Sequence, residues 1–242
     1  MPHCQCEGIE RRFGRERVTQ ELANYRQQGA AKTTRLLIEA LQTESLEGLT
    51  LLDIGGGIGA IAHALLPAGV SQALDVDASA AYIAAAREEA ERRGLAERMR
   101  FAHGNFVDLA PTIPAADLVT LDRVICCFDD MPALVSLSAA RAKRFYGLVF
   151  PRDTWWMRLF GQTRTALLAL ARTPMRFYVH STTAVDAVVR AQGLEPKSSR
   201  MVGVWQVVLY ARSAPFTADA SREAASDRPS QVRPQPSTTP TG

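Results

Sequence analysis

A glycine-rich run between a predicted strand and a predicted helix constrains this chain more than any other feature. Residues 49–54 are typical of a buried strand, and the sequence DIGGGIG at positions 53–59 leads into a helix with apolar residues at Ile58, Ile61 and Leu65. Glycines at such a turn let the backbone approach a ligand closely, and the helix start behind them offers free N–H groups. The pattern predicts a ligand site at the carboxyl end of this strand.

A pair of acids follows the next predicted strand. Residues 72–76 form that strand, and the sequence DVDAS occupies positions 75–79. Ligands of open α/β sheets bind at the carboxyl ends of the strands, where a carboxylate can accept hydrogen bonds from ribose hydroxyls. Loop and acid together indicate a nucleotide-like ligand. The alternative is an ordinary tight turn beside a solvated acid.

The order of predicted elements indicates an α/β fold. A helical region over 15–46 comes first, and five strands then alternate with helices, the strands being 49–54, 72–76, 99–102, 117–121 and 145–150. Strands joined through helical crossovers form a parallel, doubly wound sheet. The last two strands, 197–202 and 205–211, are joined by too short a link for a crossover, so an antiparallel hairpin is expected.

Two further helices complete the expected pattern. One is predicted over 132–143, and another is predicted to begin at Thr183 with Asp186 as its capping partner. Residues 213–242 are rich in Pro, Ser and Thr and are predicted to be a disordered tail.

Composition excludes some classes of partner and location. The net charge of +3 at pH 7 is too small to indicate a nucleic-acid partner. The first 17 residues carry charges and no long apolar run, so we expect no signal peptide and a cytoplasmic protein. The oligomeric state is not predictable from these features.

A dinucleotide site is the main competing interpretation of the glycine loop. Gly55, Gly57 and Ala60 fit G-x-G-x-x-G/A, and Asp77 lies near the distance expected for the ribose acid. Three features argue against it: the long helical region before the first strand, the charge of Asp53, and the final hairpin. A NAD(P)-dependent oxidoreductase stays open as an alternative.

These motifs resemble the class I S-adenosylmethionine (SAM) dependent methyltransferases over about residues 20–212. The resemblance implies a Rossmann-like, doubly wound, mostly parallel seven-stranded sheet with a C-terminal antiparallel hairpin. It also divides the chain into an N-terminal helical lid segment (1–46), a SAM-binding domain (47–212) with an insertion at about 152–180, and the tail.

The resemblance also implies which residues bind SAM. The family's D-x-G-x-G-x-G loop, here Asp53, Gly55, Gly57 and Gly59, holds the methionine part of SAM. The family's ribose acid corresponds to Asp77 rather than Asp75, with Ala78 beside it. After the third strand, Asn105 stands where the family usually has an Asp near the adenine amine, and Phe106 is expected to pack on adenine.

Two more residues are assigned to this cofactor site. The sequence YRQQGAAKTTR at positions 25–35 resembles the lid region of small-molecule methyltransferases, including magnesium-protoporphyrin methyltransferases, which implies that Tyr25 closes over the methionine end of SAM. Asp122 is expected to orient SAM or substrate. Ordinary helix packing for Tyr25 and a solvated strand end for Asp122 are the alternatives.

The segment DRVICC at positions 122–127 corresponds to the family segment that runs beneath the methyl donor and faces the substrate. It differs from the D/N-P-P-Y of enzymes that methylate amino groups of nucleic acids, so a small-molecule acceptor with an O, S, C or N nucleophile is expected. His180 is the candidate general base, with a surface or capping histidine as the alternative. A methyltransferase-like binding protein without activity is the third functional hypothesis.

The insertion combines aromatic and basic residues. It contains Trp155, Trp156, Leu159 and Phe160 among five arginines and one acid, the charged residues being Arg152, Asp153, Arg158, Arg164, Arg172 and Arg176. Three interpretations fit: a cap over an apolar or anionic substrate, a helix on a membrane surface, or a helix packed on the core.

The four cysteines, Cys4, Cys6, Cys126 and Cys127, lack the usual zinc spacings, so no metal site is predicted. A riskier hypothesis folds the N-terminal segment over the SAM pocket, so that all four thiols meet and bind a soft metal or metalloid. The simpler account has the adjacent pair filling core space and the first residues frayed.

Overall fold

The computed structural model describes residues 14–170 and 176–213, and a seven-stranded sheet forms the centre of that part of the chain. The strands are β1 (Thr50–Ile54), β2 (Gln72–Asp77), β3 (Met99–His103), β4 (Ala116–Asp122), β5 (Ala142–Pro151), β6 (Leu194–Val202) and β7 (Trp205–Arg212). Their order across the sheet is β3-β2-β1-β4-β5-β7-β6. Strands β1 to β5 are parallel, whereas β7 runs antiparallel to both β5 and β6. The predicted fold is confirmed.

Helices cover both faces of the sheet, as a doubly wound fold requires. They are α1 (Arg15–Gln28), α2 (Lys32–Gln42), α3 (Ala60–Leu65), α4 (Ala80–Arg92), α5 (Phe106–Leu109), α6 (Met131–Ala139), α7 (Trp155–Leu170) and α8 (Thr182–Ala191). Helices α2, α3 and α4 bury apolar side chains against one face, and α5, α6 and α8 against the other. Short 3₁₀ turns lie at Ala96–Arg98, Ala110–Thr112 and Ile125–Cys127.

Close packing of α2 on the sheet depends on a glycine in β5. Leu37 and Leu41 of α2 are fully buried. A Cβ atom at Gly147 would lie 2.7 Å from Leu37 Cδ1, so only glycine lets the helix sit this close to the strand. This contact fixes the N-terminal helices against the carboxyl half of the sheet, where the predicted ligand residues lie.

The structure corrects three predicted helix boundaries. The helical region predicted over 15–46 is two helices, separated at Gly29, whose positive φ of 76° ends α1. The helix predicted over 132–143 ends at Ala139, because β5 already begins at Ala142. The third correction concerns the start of α8.

Helix α8 is capped two residues earlier than the sequence pattern suggested. Ser181, not Thr183, is the N-cap, and its hydroxyl accepts a hydrogen bond of 3.4 Å from the Ala184 N–H. Asp186 accepts from Arg190 Nε at 2.7 Å and therefore takes part in an i,i+4 pair instead of a capping box.

Helix α7 leaves an apolar surface facing outward. Trp155, Trp156, Leu159 and Phe160 are 78%, 42%, 54% and 49% exposed, whereas Met157 is buried against Cys126 and Phe177. The described helices include none long and apolar enough to cross a membrane. The predicted tail from residue 214 onward, and Cys4 and Cys6, lie outside the described residues.

Candidate functional site

A cavity of about 590 Å³ lies at the carboxyl ends of β1, β2 and β4. This volume is within the range of small-molecule sites. All nine residues that the sequence assigned to cofactor binding line it: Tyr25, Asp53, Gly55, Gly57, Asp77, Ala78, Asn105, Phe106 and Asp122. The fold therefore brings these nine residues, which lie up to about a hundred positions apart in the sequence, into one cavity.

The glycine loop after β1 is held in a shape that other residues cannot adopt without strain. Gly55 has a φ of 65°, donates its N–H to the Val76 carbonyl at 2.7 Å, and would place a Cβ atom 2.5 Å from Val124 Cγ2. A Cβ atom at Gly56 would lie 2.6 Å from Asp75 Oδ1. The loop therefore lies close against β2 and the segment after β4, and it presents backbone without side chains to the cavity.

Asp77 at the end of β2 is fixed by the loop that it faces. Its Oδ2 accepts the Gly57 N–H at 3.1 Å, and its Oδ1 accepts the Ser79 N–H at 2.8 Å. Asp75, two residues earlier, is fully buried behind the glycine loop and is not among the residues that line the cavity. Of the two acids in DVDAS, Asp77 is the one with access to a ligand.

Asp53 presents a carboxylate oxygen with no partner. Its Oδ1 accepts the Thr120 hydroxyl at 2.7 Å, whereas its Oδ2 has no hydrogen-bond partner among the described residues. Burial raises the pKa of Asp53 to about 7, further raised by Asp122 and Asp77 and lowered by the Thr120 bond. An unpaired buried carboxylate is costly, so this oxygen indicates a ligand that donates a hydrogen bond or carries positive charge.

Asp75 adds a second perturbed carboxyl beneath the loop. Burial, then the charges of Asp53 and Asp77, raise its pKa well above the ordinary value, and the Gly56 N–H only partly offsets this. Four aspartates thus cluster at one edge of the sheet, the fourth being Asp122 of β4. Of these four, Asp53, Asp77 and Asp122 line the cavity, and their carboxyl groups make it attractive to a cation.

Asn105 begins helix α5 as its N-cap. Its amide oxygen accepts the Val107 N–H at 3.2 Å, and its Nδ2 donates to Asp108 Oδ2 at 3.0 Å. The amide oxygen has a second lone pair that can face the cavity. Phe106 is 4% exposed and lines the cavity from the same turn.

The N-terminal helices form one wall of the cavity. Tyr25 is buried, with its ring stacked 6.2 Å from that of His63 and with Arg93 5.0 Å above it. The Tyr82 hydroxyl donates to Glu21 at 2.7 Å, and Arg26 Nε donates to the buried Glu89 at 2.9 Å. These contacts hold α1 against α4.

The segment after β4 forms the opposite wall of the cavity, and the sequence patterns assigned no role to its first residue, Arg123. Arg123 has a φ of 61°, the only positive value at a non-glycine residue in the described part of the chain. Its Nε donates to Asp122 Oδ1 at 3.1 Å, and it lines the cavity with the apolar residues Phe128, Phe177 and Trp205. Such a conformation costs about 1–2 kcal/mol and occurs at functional sites. No sequence signal marks it.

His180 lies outside the cavity wall. Its Nε2 is 3.1 Å from the Ile125 carbonyl and 2.9 Å from the Phe128 carbonyl. Because carbonyl oxygens only accept hydrogen bonds, Nε2 must carry the proton. The imidazole therefore donates to the backbone at both ends of this segment and stabilises the turn Ile125–Cys127. Burial lowers the pKa of His180, which keeps the ring neutral.

The residues of the cavity fit SAM. The glycine loop, which carries no side chains, suits a ligand that approaches the backbone closely. The unpaired Asp53 Oδ2 can accept a hydrogen bond from the ammonium group of the methionine part of SAM. Asp77 presents a carboxylate that the loop holds in place. The acidic edge matches a ligand that carries a sulfonium.

Comparison with known proteins places the chain in a family. The O-methyltransferase domain family matches residues 6–142. Ribosomal protein L11 methyltransferase from Enterobacter sp. (strain 638) is 31% identical over 109 residues, which are 45% of this chain and 36% of that protein. The same enzyme from Pectobacterium atrosepticum is 28% identical over 156 residues, or 57% and 53%. The chain thus spans about a third to a half of the length of these relatives.

Solved structures show the same fold. Magnesium protoporphyrin IX methyltransferase from Synechocystis PCC 6803 with bound SAH has a TM-score of 0.61 and 20% identity, over 75% of this chain and 83% of that chain. An O-methyltransferase family protein from Burkholderia thailandensis has a TM-score of 0.60 and 19% identity, over 75% and 56%. With its glycine loop and strand order, the chain belongs to the O-methyltransferase domain family of the class I SAM-dependent methyltransferases.

Proposed function

We propose that the protein transfers the methyl group of SAM to a small-molecule acceptor. The observation that carries this proposal is the unpaired Asp53 Oδ2 beside the bare glycine loop and the fixed carboxylate of Asp77, all in one cavity. SAM, when bound, supplies a methyl group on a sulfonium leaving group. The protein's contribution is then alignment of the acceptor and exclusion of water.

Each cofactor residue has a proposed task in this cavity. Asp53 and the loop bind the methionine part, Asp77 with Ala78 binds the ribose, and Asn105 with Phe106 contacts adenine. Tyr25 closes the methionine end, and Asp122 orients the wall formed by the segment after β4. These tasks are supported by the position of every one of these residues on the cavity surface.

The acceptor end of the cavity supports an apolar acceptor with an anionic group. Phe128, Phe177 and Trp205 supply apolar surface there, and Arg123 supplies a guanidinium. The structural neighbours include a magnesium protoporphyrin IX methyltransferase and the mitomycin 7-O-methyltransferase, the second 25% identical with a TM-score of 0.53 over 73% of this chain and 54% of that chain. Such acceptors are our proposal for this chain as well.

We assign His180 a positioning role in place of the expected role as base. Its Nε2–H is engaged by two carbonyls, and the residue does not line the cavity. Through Ile125 and Phe128 it holds the wall that faces the acceptor.

Titration calorimetry with SAM, S-adenosylhomocysteine and NAD tests the cofactor part of the proposal. We expect SAM and its demethylated product to bind and NAD to give no heat. Binding of NAD alone identifies the oxidoreductase alternative and overturns the proposal.

The acceptor part needs a separate measurement, because relatives named for ribosomal protein L11 point to a protein acceptor. Radiolabelled SAM is incubated with the enzyme and the small-molecule fraction of a cell extract, and in parallel with purified L11 and the protein fraction. We expect label in small molecules only. Label on protein contradicts the proposal, and no transfer in either fraction with normal SAM binding supports the inactive binding protein.

A cytoplasmic location is also part of the proposal. The buried Cys126 carries a thiol rather than a disulfide, which supports a reducing compartment. Cell fractionation tests this, and recovery in an oxidising compartment contradicts it.

A further inference from the structure

Two neighbouring thiols converge at the acceptor end of the cavity. In the turn Ile125–Cys127, the Sγ atoms of Cys126 and Cys127 are 3.9 Å apart. The Arg123 carbonyl oxygen lies 3.2 Å from the first sulfur and 3.9 Å from the second. Both thiols thus lie near the same carbonyl, that of Arg123, whose φ of 61° is left-handed. The pair therefore presents two sulfur ligands to one point in space.

A ligand reaches this pair from the cavity. Both cysteines line it, and Cys126 is only 2% exposed. Cys126 also packs against Met157, which is buried and is not among the residues that line the cavity. The thiols thus form part of a binding surface rather than of a sealed core.

The geometry disfavours a direct disulfide between the two residues. Neighbouring Cα atoms are about 3.8 Å apart across a trans peptide, whereas disulfides usually span about 4.4–6.8 Å between Cα atoms. The sulfurs would also have to close from 3.9 Å to about 2.05 Å. A single atom that bonds to both sulfurs requires much less movement.

The protonation state favours ligands that exchange with neutral thiols. The hydrogen bond to Cys127 and burial raise the pKa of Cys126 well above its ordinary value. Cys126 therefore carries its proton at neutral pH and is a weak nucleophile. A suitable ligand must itself remove the two protons as it binds.

We propose that Cys126 and Cys127 form a chelating site for a trivalent, thiophilic metalloid, of the class of monosubstituted arsenicals R–As(OH)₂. Two As–S bonds form and two As–O bonds break, and each hydroxyl leaves as water with the proton of one thiol. Arsenic stays trivalent and no oxidant is needed. Soft thiol ligands suit such a centre. The site does not depend on the methyl transfer proposed above.

Phenylarsine oxide is the probe, and intact-protein mass spectrometry is the measurement. Because Cys4 and Cys6 are a second candidate pair, the experiment uses the full chain with Cys4→Ser and Cys6→Ser, reduced with a phosphine. We expect one phenylarsenic group per chain, stable to 2-mercaptoethanol and removed by 2,3-dimercaptopropanol. Adding Cys126→Ala or Cys127→Ser should abolish the stable adduct.

Comparison with the unfolded chain shows whether the fold holds the two thiols in place for binding, or whether binding needs only two cysteines next to each other in the sequence. Preorganised donors lose less freedom on binding, so stripping the native adduct should need about tenfold more dithiol than stripping it from the same chain in urea. The proposal is overturned if the same dithiol concentration removes arsenic from the folded and the unfolded chain, or if a variant without Cys127 still forms a stable adduct. The melting temperature of each variant, measured with and without SAM, shows that the variant is folded. A rise with SAM also tests the cofactor site independently of the thiols.

Discussion

The Thr34 hydroxyl donates a 2.5 Å hydrogen bond to Asp122 Oδ2, which joins helix α2 to the carboxyl end of β4. Both residues line the cavity, and Asp122 also pairs with Arg123. One carboxylate thus connects the N-terminal helices with the wall that faces the acceptor. The two walls of the cavity are therefore mechanically coupled through Asp122.

Replacing Thr34 by Val keeps the shape of the side chain and removes this bond. We expect the free energy of unfolding to fall by about 1.5–3 kcal/mol, the usual value of a hydrogen bond to a charged group, and SAM affinity to fall with it. Thr33→Val is the matched control, since Thr33 is also buried on α2. Denaturant unfolding and calorimetry measure both effects, and equal behaviour of the two variants contradicts the coupling.

Asp53 should make the free protein less stable as the pH rises. Its folded pKa of about 7 lies above the unfolded value, so the folded state holds a proton that the unfolded state has lost between about pH 4 and 7. The contribution of Asp53 to the free energy of unfolding is fully present below about pH 4 and is lost as the pH rises through about 7. His63, whose pKa burial lowers to about 4, acts in the opposite sense.

A variant isolates the Asp53 effect from that of His63. Asp53→Asn mimics the protonated acid, so its stability relative to wild type should rise by about 1.4 kcal/mol per pH unit between pH 4 and 7. Denaturant unfolding at several pH values measures this slope. A flat difference would show that Asp53 stays ionised in the folded protein.

Asp77→Asn should weaken SAM binding at least about tenfold, because a charged acceptor of ribose hydroxyls becomes a neutral amide. Asp117→Asn is the control. Asp117 accepts the Thr50 N–H at 2.9 Å at the amino end of β4, opposite the cavity. Calorimetry on both variants decides the assignment, and normal SAM affinity of Asp77→Asn refutes it.

His180→Ala should slow methyl transfer about tenfold and leave SAM affinity unchanged, since one hydrogen-bonded anchor of the Ile125–Cys127 turn is lost. His180→Gln can still donate from its amide and should recover most of the rate. Neither variant should shift the pH profile, because burial keeps His180 neutral. A general base would instead show no rescue by Gln and an altered profile.

The exposed face of α7 remains open to a membrane surface as partner, as the sequence suggested. Its two tryptophans and the exposed Arg158 suit the boundary of an anionic bilayer. We expect sedimentation with phosphatidylserine vesicles to fall roughly tenfold in Trp155→Ala with Trp156→Ala. Met201→Ala, which removes an apolar side chain 55% exposed on β6, should have no effect. Equal sedimentation of all variants excludes this contact.

Local patterns in the sequence were sufficient for the parallel sheet with its C-terminal hairpin and for the position of the glycine loop. The glycine loop and the acids after β2 follow from short-range rules, because turn geometry and strand ends depend on residues close in the chain. The antiparallel hairpin followed from the length of one link. Helix limits were less accurate, since the end of α6 depends on where β5 joins the sheet.

Other features depend on contacts that no local pattern encodes. Thr34 and Asp122 are 88 positions apart, and their bond arises from the packing of α2 on the sheet. Arg123 adopts a conformation that sequence alone assigns to glycine or asparagine. The residue type of His180 suggested a base, but only the folded chain shows that its proton faces two carbonyls.

The reversed direction of β7 determines where the chain leaves the sheet. Trp205 begins the strand beside Pro151, at the cavity edge, and Arg212 ends it beside Leu194, where its Nε donates to the Ala142 carbonyl at 2.9 Å. The described chain therefore ends at the opposite end of the strands from the cavity. A domain or affinity tag joined directly after Ser213 would therefore start at the side of the sheet away from the cavity entrance.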